Sequence, residues 1–503
     1  MDSPNGGLVG GSNRYVESHA HSFRFVVPEV ESSITEGDLA RPMLALAWPM
    51  VVFQLLQVAY NLADTIWLGR YDTDAFAALS LAFPLIFFLI SVGGGFTTAG
   101  SILVAQYTGA KSEGSAGKVA GQTLSFVTGI AVVLGISGYF LTGTLLGVLP
   151  AEGETLAVVI PLAGDYMRVF FLGMPFLFGF FVFSALMRGY GNTRTPMRVM
   201  AISVAINVVL DPLLIFGVGP FPEWGIVGAA VATIFSRGVA TLIGLYVLFY
   251  TAAGPNVSVR DFVPELGLLS KIVRVGLPSA AEQSMSSVAM ITLTGMVATF
   301  APAVVAAYGL GNRLVSLIFL PALGLGRATN TMVGQNLGAN KPDRAEAATW
   351  LAVKVAVGVL AVLAVIAFLV PGPLVSVFIG TGTEQAIETI RLGTEYLQIR
   401  SVEFVFLGIT QVLLGAFRGA GNTKTALGFS VITLWLVRVP LVFMLALDTT
   451  LVVPYVDVVI QTFGWGPSGI WWGMAMGNVL GAVTSAAWFS RGTWKRTVIE
   501  DGA

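Results

Sequence analysis

Residues 188–195 read Arg-Gly-Tyr-Gly-Asn-Thr-Arg-Thr, and residues 418–425 read Arg-Gly-Ala-Gly-Asn-Thr-Lys-Thr. One frame in two distant places marks an internal duplication. Other matches lie at the same displacement to within a residue. Gln106-Tyr107-Thr108-Gly109-Ala110-Lys111 returns as Gln335-Asn336-Leu337-Gly338-Ala339-Asn340, and Trp48-Pro49 corresponds to Leu277-Pro278. Gly225-Ile226 opens one apolar stretch as Gly469-Ile470 opens another.

Outward from these motifs the chain is almost entirely apolar. Of its 503 residues 55% are hydrophobic and only 11% charged, against about 25% charged in a soluble domain; the mean hydropathy is +0.81. Such a chain cannot cover itself with polar groups, so lipid must be its solvent. Backbone groups in lipid need internal partners, which leaves helices or closed barrels. The apolar runs are about 20 residues or longer without period-two alternation, so helices are expected.

Windows of about 20 residues give twelve spans, near 44–69, 75–105, 119–148, 163–187, 197–217, 225–250, 270–299, 304–335, 348–378, 394–416, 426–446 and 469–490. The expected fold is an all-α integral membrane protein of twelve transmembrane helices in two six-helix lobes. Its divisions are a polar cytoplasmic tail (1–40), an N-lobe (41–251), a connector (252–269), a C-lobe (270–490) and a second cytoplasmic tail (491–503). No cleavable signal peptide is expected, because residues 1–40 hold no apolar core segment. An even number of helices per copy inserts both copies the same way up. They are then related by a pseudo-twofold axis along the membrane normal, with a cleft between them.

Orientation follows from the basic residues. With the N-terminus inside, the inner segments hold Lys111, Lys118, Arg188, Arg194, Arg198, Arg260, Lys271, Arg274, Lys341, Arg344, Arg418 and Lys424. The outer segments hold little beyond Arg70, Arg168, Arg391 and Arg400. That asymmetry predicts a multi-pass protein of the cell membrane with both termini cytoplasmic.

The chain contains no cysteine, and its two histidines, His19 and His21, lie in the polar N-terminal tail. Disulfides, thiolate sites and embedded histidine relays are excluded. Chemistry within the bilayer falls to carboxylates, amides, hydroxyls and arginines. A net charge of −1 gives no reason to expect a nucleic-acid partner.

A carboxylate at the centre of a membrane helix costs about 2.5–3.5 kcal/mol, so each needs a reason. Asp64 and Asp211 sit near the outer ends of the first and fifth spans, both roughly 8–9 Å below the outer edge of the core. Tyr60 lies one turn before Asp64 and Asn207 one turn before Asp211, so each pair shares a helix face. Thr233 in the sixth span descends to a similar level. Such an oxygen-rich cluster can bind Na⁺ at Asp64, Asn207, Asp211 and Thr233, or hold a proton, because low dielectric and mutual repulsion oppose two bare negative charges. The alternative is that each aspartate is a separate packing or capping device. In the second half Leu293 stands opposite Asp64 and Arg438 near the place of Asp211, so the site is expected in the N-lobe alone.

The second half carries Glu282, Arg313, Glu403 and Arg438. These read as a charge network, with Arg438 neutralised by Glu282 or Glu403, in preference to a second coupling site. Arg237 fits either role. Pro49 and Pro212 remove backbone hydrogen bonds beside the aspartates and are candidate bending points; prolines are also common in membrane helices without that role.

The duplication, the Arg-Gly-x-Gly-Asn-Thr-Arg/Lys-Thr segments and the Gln-x-x-Gly-Ala segments resemble the multidrug and toxic compound extrusion (MATE) family, and its prokaryotic DinF-like branch most closely, over about residues 41–490. The resemblance implies a twelve-helix antiporter that exports cationic or amphipathic compounds in exchange for H⁺ or Na⁺ by alternating access. It implies cation-site roles for Asp64 and Asp211, with Asn207, Tyr60 and Thr233 as polar neighbours, and a bending role for Pro49. No cofactor is implied beyond the coupling ion; the partners are drug-like small molecules and the bilayer, and the chain is expected to be monomeric. The nearest rival is a lipid or lipid-linked oligosaccharide flippase of the same superfamily. It would want a strongly cationic cavity, whereas intramembrane arginines read from the sequence are few and balanced by acids. No catalytic constellation or nucleotide-binding loop suggests an enzyme or an ATP-driven pump.

Overall fold

The computed structural model describes residues 34–147, 153, 155–379, 382–453 and 458–499. Most of the expected N-terminal tail and the last residues of the C-terminal tail lie outside them.

The chain folds as α1 (Ala40–Tyr71), α2 (Thr73–Gly109), α3 (Glu113–Leu146), α4 (Ile160–Leu172), α5 (Met174–Tyr190), α6 (Arg194–Ile215), α7 (Gly225–Tyr250), α8 (Leu266–Val297), α9 (Pro302–Gly338) and α10 (Pro342–Leu369). It continues through α11 (Pro371–Ser376), α12 (Glu384–Ser401), α13 (Phe404–Gly419), α14 (Thr423–Val431), α15 (Val439–Ala446) and α16 (Pro467–Phe489). Among the described residues nine helical stretches are long and apolar enough to cross a bilayer alone, and a tenth if the bent pair α12–α13 is one passage. Helices α8 and α16 have the length but are diluted by polar and small residues, Glu282 and Gln283 among them. They complete the twelve passages.

Several passages are broken where the sequence suggested one helix. Helices α4 and α5 part at Gly173, ahead of Pro175, whose ring has no N–H to continue the ladder. Helices α12 and α13 meet at 54°, beside the charged Arg400 and Glu403. Between α14 and α15 the backbone is π-helical over Ile432–Arg438. By contrast α1 runs unbroken through Pro49, and α6 through Pro212. One element departs from the all-helical expectation: between α15 and α16 the strands β1 (Thr450–Val453) and β2 (Val458–Gln461) pair antiparallel, Thr450 opposite Gln461. A helix pattern was read only across the apolar spans, and this hairpin lies between two of them.

The buried apolar residues form three clusters, one within α1–α8 and two mainly within the second half. Lipid tails are as apolar as leucine, so close packing through small residues, not hydrophobic burial, must join the helices. Gly95 of α2 faces the backbone of Ala280 in α8, and Gly324 of α9 faces Ala47 and Val51 in α1. These crossings join the two halves.

The repeated motifs meet each other at the end of the molecule that carries residues 34 and 499. Gln106 Nε2 donates to the carbonyl of Gly419 at 3.0 Å. Its repeat mate Gln335 donates from Nε2 to the carbonyl of Gly189, also at 3.0 Å. Each copy thus grips the Arg-Gly segment of the other. Gly109 and Gly338 let the backbones approach, since a Cβ at Gly109 would run into the backbone of Gln335 and one at Gly338 into that of Gln106. The turns that follow are duplicated too: Lys111 and Asn340 both take φ 57°. The C-terminal segment covers this clasp, Val498 donating its N–H to Gln106 Oε1 at 2.9 Å. Residues 34–38 are tied beside it by Arg344, whose guanidinium donates to the carbonyls of Glu36 and Gly37.

Described contacts between the halves continue to mid-membrane, where Ser91 meets Ser287 at 3.3 Å, and stop there. Beyond that level Asn61 of α1 and Arg313 of α9 are exposed. The molecule is closed at the end that carries residues 34 and 499, and among the described residues no hydrogen bond joins the lobes beyond Ser91 and Ser287 toward the other end.

Candidate functional site

The N-lobe cluster expected from the sequence is assembled by α1, α6 and α7. Asn207 and Asp211 lie one turn apart on α6, and Asn207 Nδ2 donates to Asp211 Oδ1 at 3.0 Å. The carboxyls of Asp64 and Asp211 face each other within hydrogen-bonding reach. Two carboxylates can share a hydrogen bond only if a proton lies between them. Thr233 of α7 closes the group, its hydroxyl 3.5 Å from Asp64 Oδ2. Tyr60 anchors α1 to α7, its hydroxyl 3.2 Å from the Thr233 carbonyl and 2.7 Å from Ser236 Oγ. All five residues are buried, and Asn207 and Asp211 are wholly inaccessible.

Three buried oxygens here have no partner: Asp64 Oδ1, Asn207 Oδ1 and Asp211 Oδ2. All are acceptors, and a surplus of buried acceptors suits a cation, whether a proton or a hard metal ion such as Na⁺ that takes oxygen ligands. Among the described residues no group of three or more acidic, histidine or cysteine side chains is placed to hold a metal ion.

The sequence left Arg237 ambiguous, and the structure places it at this cluster. Its guanidinium lies 4.2 Å from the centre of the Tyr60 ring and 5.2 Å from that of Phe180. It donates to Gln57 Oε1 at 3.2 Å and toward the sulfur of Met200 at 3.0 Å. Ser203 donates from its hydroxyl to the Ser236 carbonyl at 3.2 Å. Helical spacing reaches Gln57, Ser203 and Ser236 alike, since Gln57 is three residues before Tyr60, Ser203 four before Asn207 and Ser236 three after Thr233.

The second-half charges match the expectation only at Glu403, which stands within electrostatic reach of Arg438 as well as pairing with Arg400. Glu282 takes Arg418, not Arg438: Nη2 reaches Oε1 at 2.6 Å and Nε reaches Oε2 at 3.2 Å, while Ser430 donates to Oε1 at 2.8 Å. Glu403 pairs with Arg400, three residues before it. Arg438 donates to Asn478. Arg313 joins neither group in any described contact. Arg400 had been assigned to an outer segment, yet it is only 3% exposed. The helix continues inward through it to the bend, so its position follows from the broken passage.

Arg188 and Arg418, both assigned to inner loops, are also drawn into the protein. Arg188 folds back along α5 onto Ser184 Oγ at 2.7 Å. Arg327 of α9 donates to Gln54 Oε1 of α1 at 2.7 Å. It stands within electrostatic reach of Arg188 on one side and Arg418 on the other. The three arginines form a layer next to the clasp.

The MatE family model matches residues 49–213 and 278–444, once in each half. The probable multidrug resistance protein YoeA of Bacillus subtilis (strain 168) is 31% identical over 429 residues, covering 84% of this chain and 90% of that protein. A FAD transporter of Shewanella oneidensis is 28% identical over 408 residues, covering 81% and 88%. The outward-facing conformation of a multidrug resistance MATE family transporter superposes with a TM-score of 0.80 at 26% identity, covering 92% of this chain and 98% of that one. The two matched segments coincide with the two copies of the duplication, and the chain belongs to the MATE family of membrane transporters.

Proposed function

We propose that this protein is a secondary active multidrug efflux antiporter of the cell membrane, exporting cationic or amphipathic compounds in exchange for H⁺ or Na⁺ by alternating access. The observation that carries the reading is the facing pair of buried carboxyls, Asp64 and Asp211, with three unpartnered acceptor oxygens around them. Arg237 offsets one carboxylate, and one monovalent cation brings the cluster to neutrality, so the site holds one H⁺ or one Na⁺ at a time; a second would leave a net positive charge in low dielectric.

The end that carries residues 34 and 499 holds Lys111, Lys341, Arg344 and Lys495 and faces the cytoplasm, by the rule that basic residues stay inside. The cleft expected between the lobes then opens outward. Entry of the cation removes the repulsion between Asp64 and Asp211 and lets α1, α6 and α7 pack more tightly, the change that would follow through α1 to the lobe contacts at Ala47 and Val51. Pro49 lies between those two residues and Pro212 beside Asp211, where missing backbone bonds ease bending. The antiporter acts as a monomer, each chain holding both lobes.

The test is efflux of a cationic dye from proteoliposomes under an imposed pH gradient or an imposed Na⁺ gradient, comparing wild type with Asp64→Asn and Asp211→Asn. One gradient should drive efflux, naming the ion, and each substitution should abolish the drive. Efflux indifferent to both gradients, with a fluorescent lipid still crossing, would replace antiport by lipid flipping.

A further inference from the structure

The arginine layer at the lobe seam has more positive charge than its surroundings answer. Glu282 is the acid bound there, and both of its oxygens are taken by Arg418. The described partners of the other two are neutral: the Gln54 amide for Arg327 and the Ser184 hydroxyl for Arg188. Three guanidiniums against one carboxylate leave two positive charges. Unanswered charge at this depth is expensive and marks a ligand pathway.

Placement makes the excess usable. Arg188 comes from the N-lobe helix α5, whereas Arg327 and Arg418 come from α9 and α13 of the C-lobe. Thr331, one turn beyond Arg327, donates to the Arg188 carbonyl at 3.0 Å, and the Asn330 carbonyl abuts Gly419 next to Arg418. Helix α9 therefore sets its arginine between the other two, at the seam of the lobes. None of the three is sealed in: all are partly accessible, and the Arg418 side chain is 26% exposed against 3% for Glu282.

We propose that Arg188, Arg327 and Arg418 form a receiving site for a phosphate group carried by an amphipathic compound, at the seam of the lobes next to the clasp. A phosphate monoester bears close to two negative charges, which closes the local balance. The planar guanidinium fork matches its oxygens. The acidic pair of the N-lobe and this basic layer are separate sites of opposite sign, so a compound can be held by its phosphate while the coupling cation occupies Asp64 and Asp211. A bound phosphate bridges both lobes and reinforces the closed end. The inference rests on the transporter reading above for its direction of travel, though not on which ion drives it.

The experiment is equilibrium binding to the full chain in nanodiscs, followed by tryptophan fluorescence, with 1-naphthyl phosphate as probe and neutral 1-naphthol as its match. The phosphate should bind at least about tenfold more tightly than the naphthol. Arg327→Gln and Arg188→Gln should remove about that factor, and Arg327→Lys should restore part of it, with melting curves showing each variant folded. Competition names the source: displacement by dihexanoyl phosphatidic acid marks a lipid-borne phosphate, and displacement by inorganic phosphate alone marks a soluble one. Equal affinity for naphthol and naphthyl phosphate, no loss in folded Arg327→Gln, or displacement by neither competitor each overturns the proposal. Because the readout is binding and not flux, failure of antiport appears in the proteoliposome assay and failure of this site appears here.

Discussion

The closed end of the molecule can be pried apart by one methyl group. In the structure a Cβ added at Gly109 would lie 2.6 Å from the carbonyl carbon of Gln335 and 2.7 Å from its Cα, besides striking the carbonyl oxygen. Ordinary carbon–carbon contact is about 3.5–4.0 Å, so the two backbones must part by roughly 1 Å. Everything the methyl meets is backbone, so no rotamer change relieves it. Overpacking of this kind costs about 1–3 kcal/mol. A state in which α2 and α9 are separated at this end bears none of that cost, so Gly109→Ala should favour the separated state by about 5- to 150-fold. The chain has no cysteine, so spin labels can be placed at Glu113→Cys and Asp343→Cys without removing native thiols. Both positions are exposed, at the starts of α3 and α10 on opposite lobes. Electron–electron distance measurements should show a longer population in Gly109→Ala and again in Gly338→Ala, whose Cβ meets Gln106 in the same way. Gly129→Ala, with open space around it, should show none. Unchanged distributions in both clasp variants would refute the claim that these glycines permit closure.

The Glu403–Arg400 pair is almost wholly buried, with side-chain exposures of 0% and 4%, so Glu403→Gln should cost about 3–5 kcal/mol in thermal unfolding. Glu388→Gln, at the exposed partner of Arg391, should cost no more than about 1 kcal/mol; equal losses would mean that burial is not what makes the first pair matter. Asp38, just before α1, accepts the N–H of Arg41 at 3.1 Å. That bond and the neighbouring backbone N–H of Ala40 hold its carboxyl below the usual carboxylate range. A depressed value stabilises the fold above the unfolded-state range and is lost as pH falls through the folded value. The melting difference between wild type and Asp38→Ala should therefore be present at neutral pH and shrink as pH falls below about 4; a gap unchanged by acid would rule out the ionised carboxylate as its source.

The sequence foretells the twelve passages because each apolar run reports its own solvent, and lipid leaves helices little competition. It foretells Tyr60, Asp64, Asn207, Asp211 and Thr233 as one cluster because depth and helix face follow from counting along spans of known direction. Pairings across the bundle do not follow that way. Glu282 is bound by Arg418 from α13, and nothing in either local sequence names the other. Arg188 and Arg418 fall just past the expected spans because a window average ends a span at the first cation near its edge, whereas Arg400 lies inside the span 394–416 and was counted with the outer basic residues. Long flexible side chains reach back along the helix from there, as Arg188 does to Ser184, and carry the charge inward. Arg327 went unremarked inside a long apolar helix, and with it the whole basic layer.

The clasp also bears on how such a chain could arise. Gln106 meets Gly419 and Gln335 meets Gly189, equivalent residues exchanged between equivalent partners. An isologous interface has this form, in which one surface is its own complement. Two separate six-helix chains would find each other by the same bonds, and fusing them required a connector but no new seam. The Asp64–Asp211 site, with Leu293 and Arg438 in the corresponding places, is where the copies have since diverged. Ancestry is legible at the floor of the molecule and specialisation nearer its mouth.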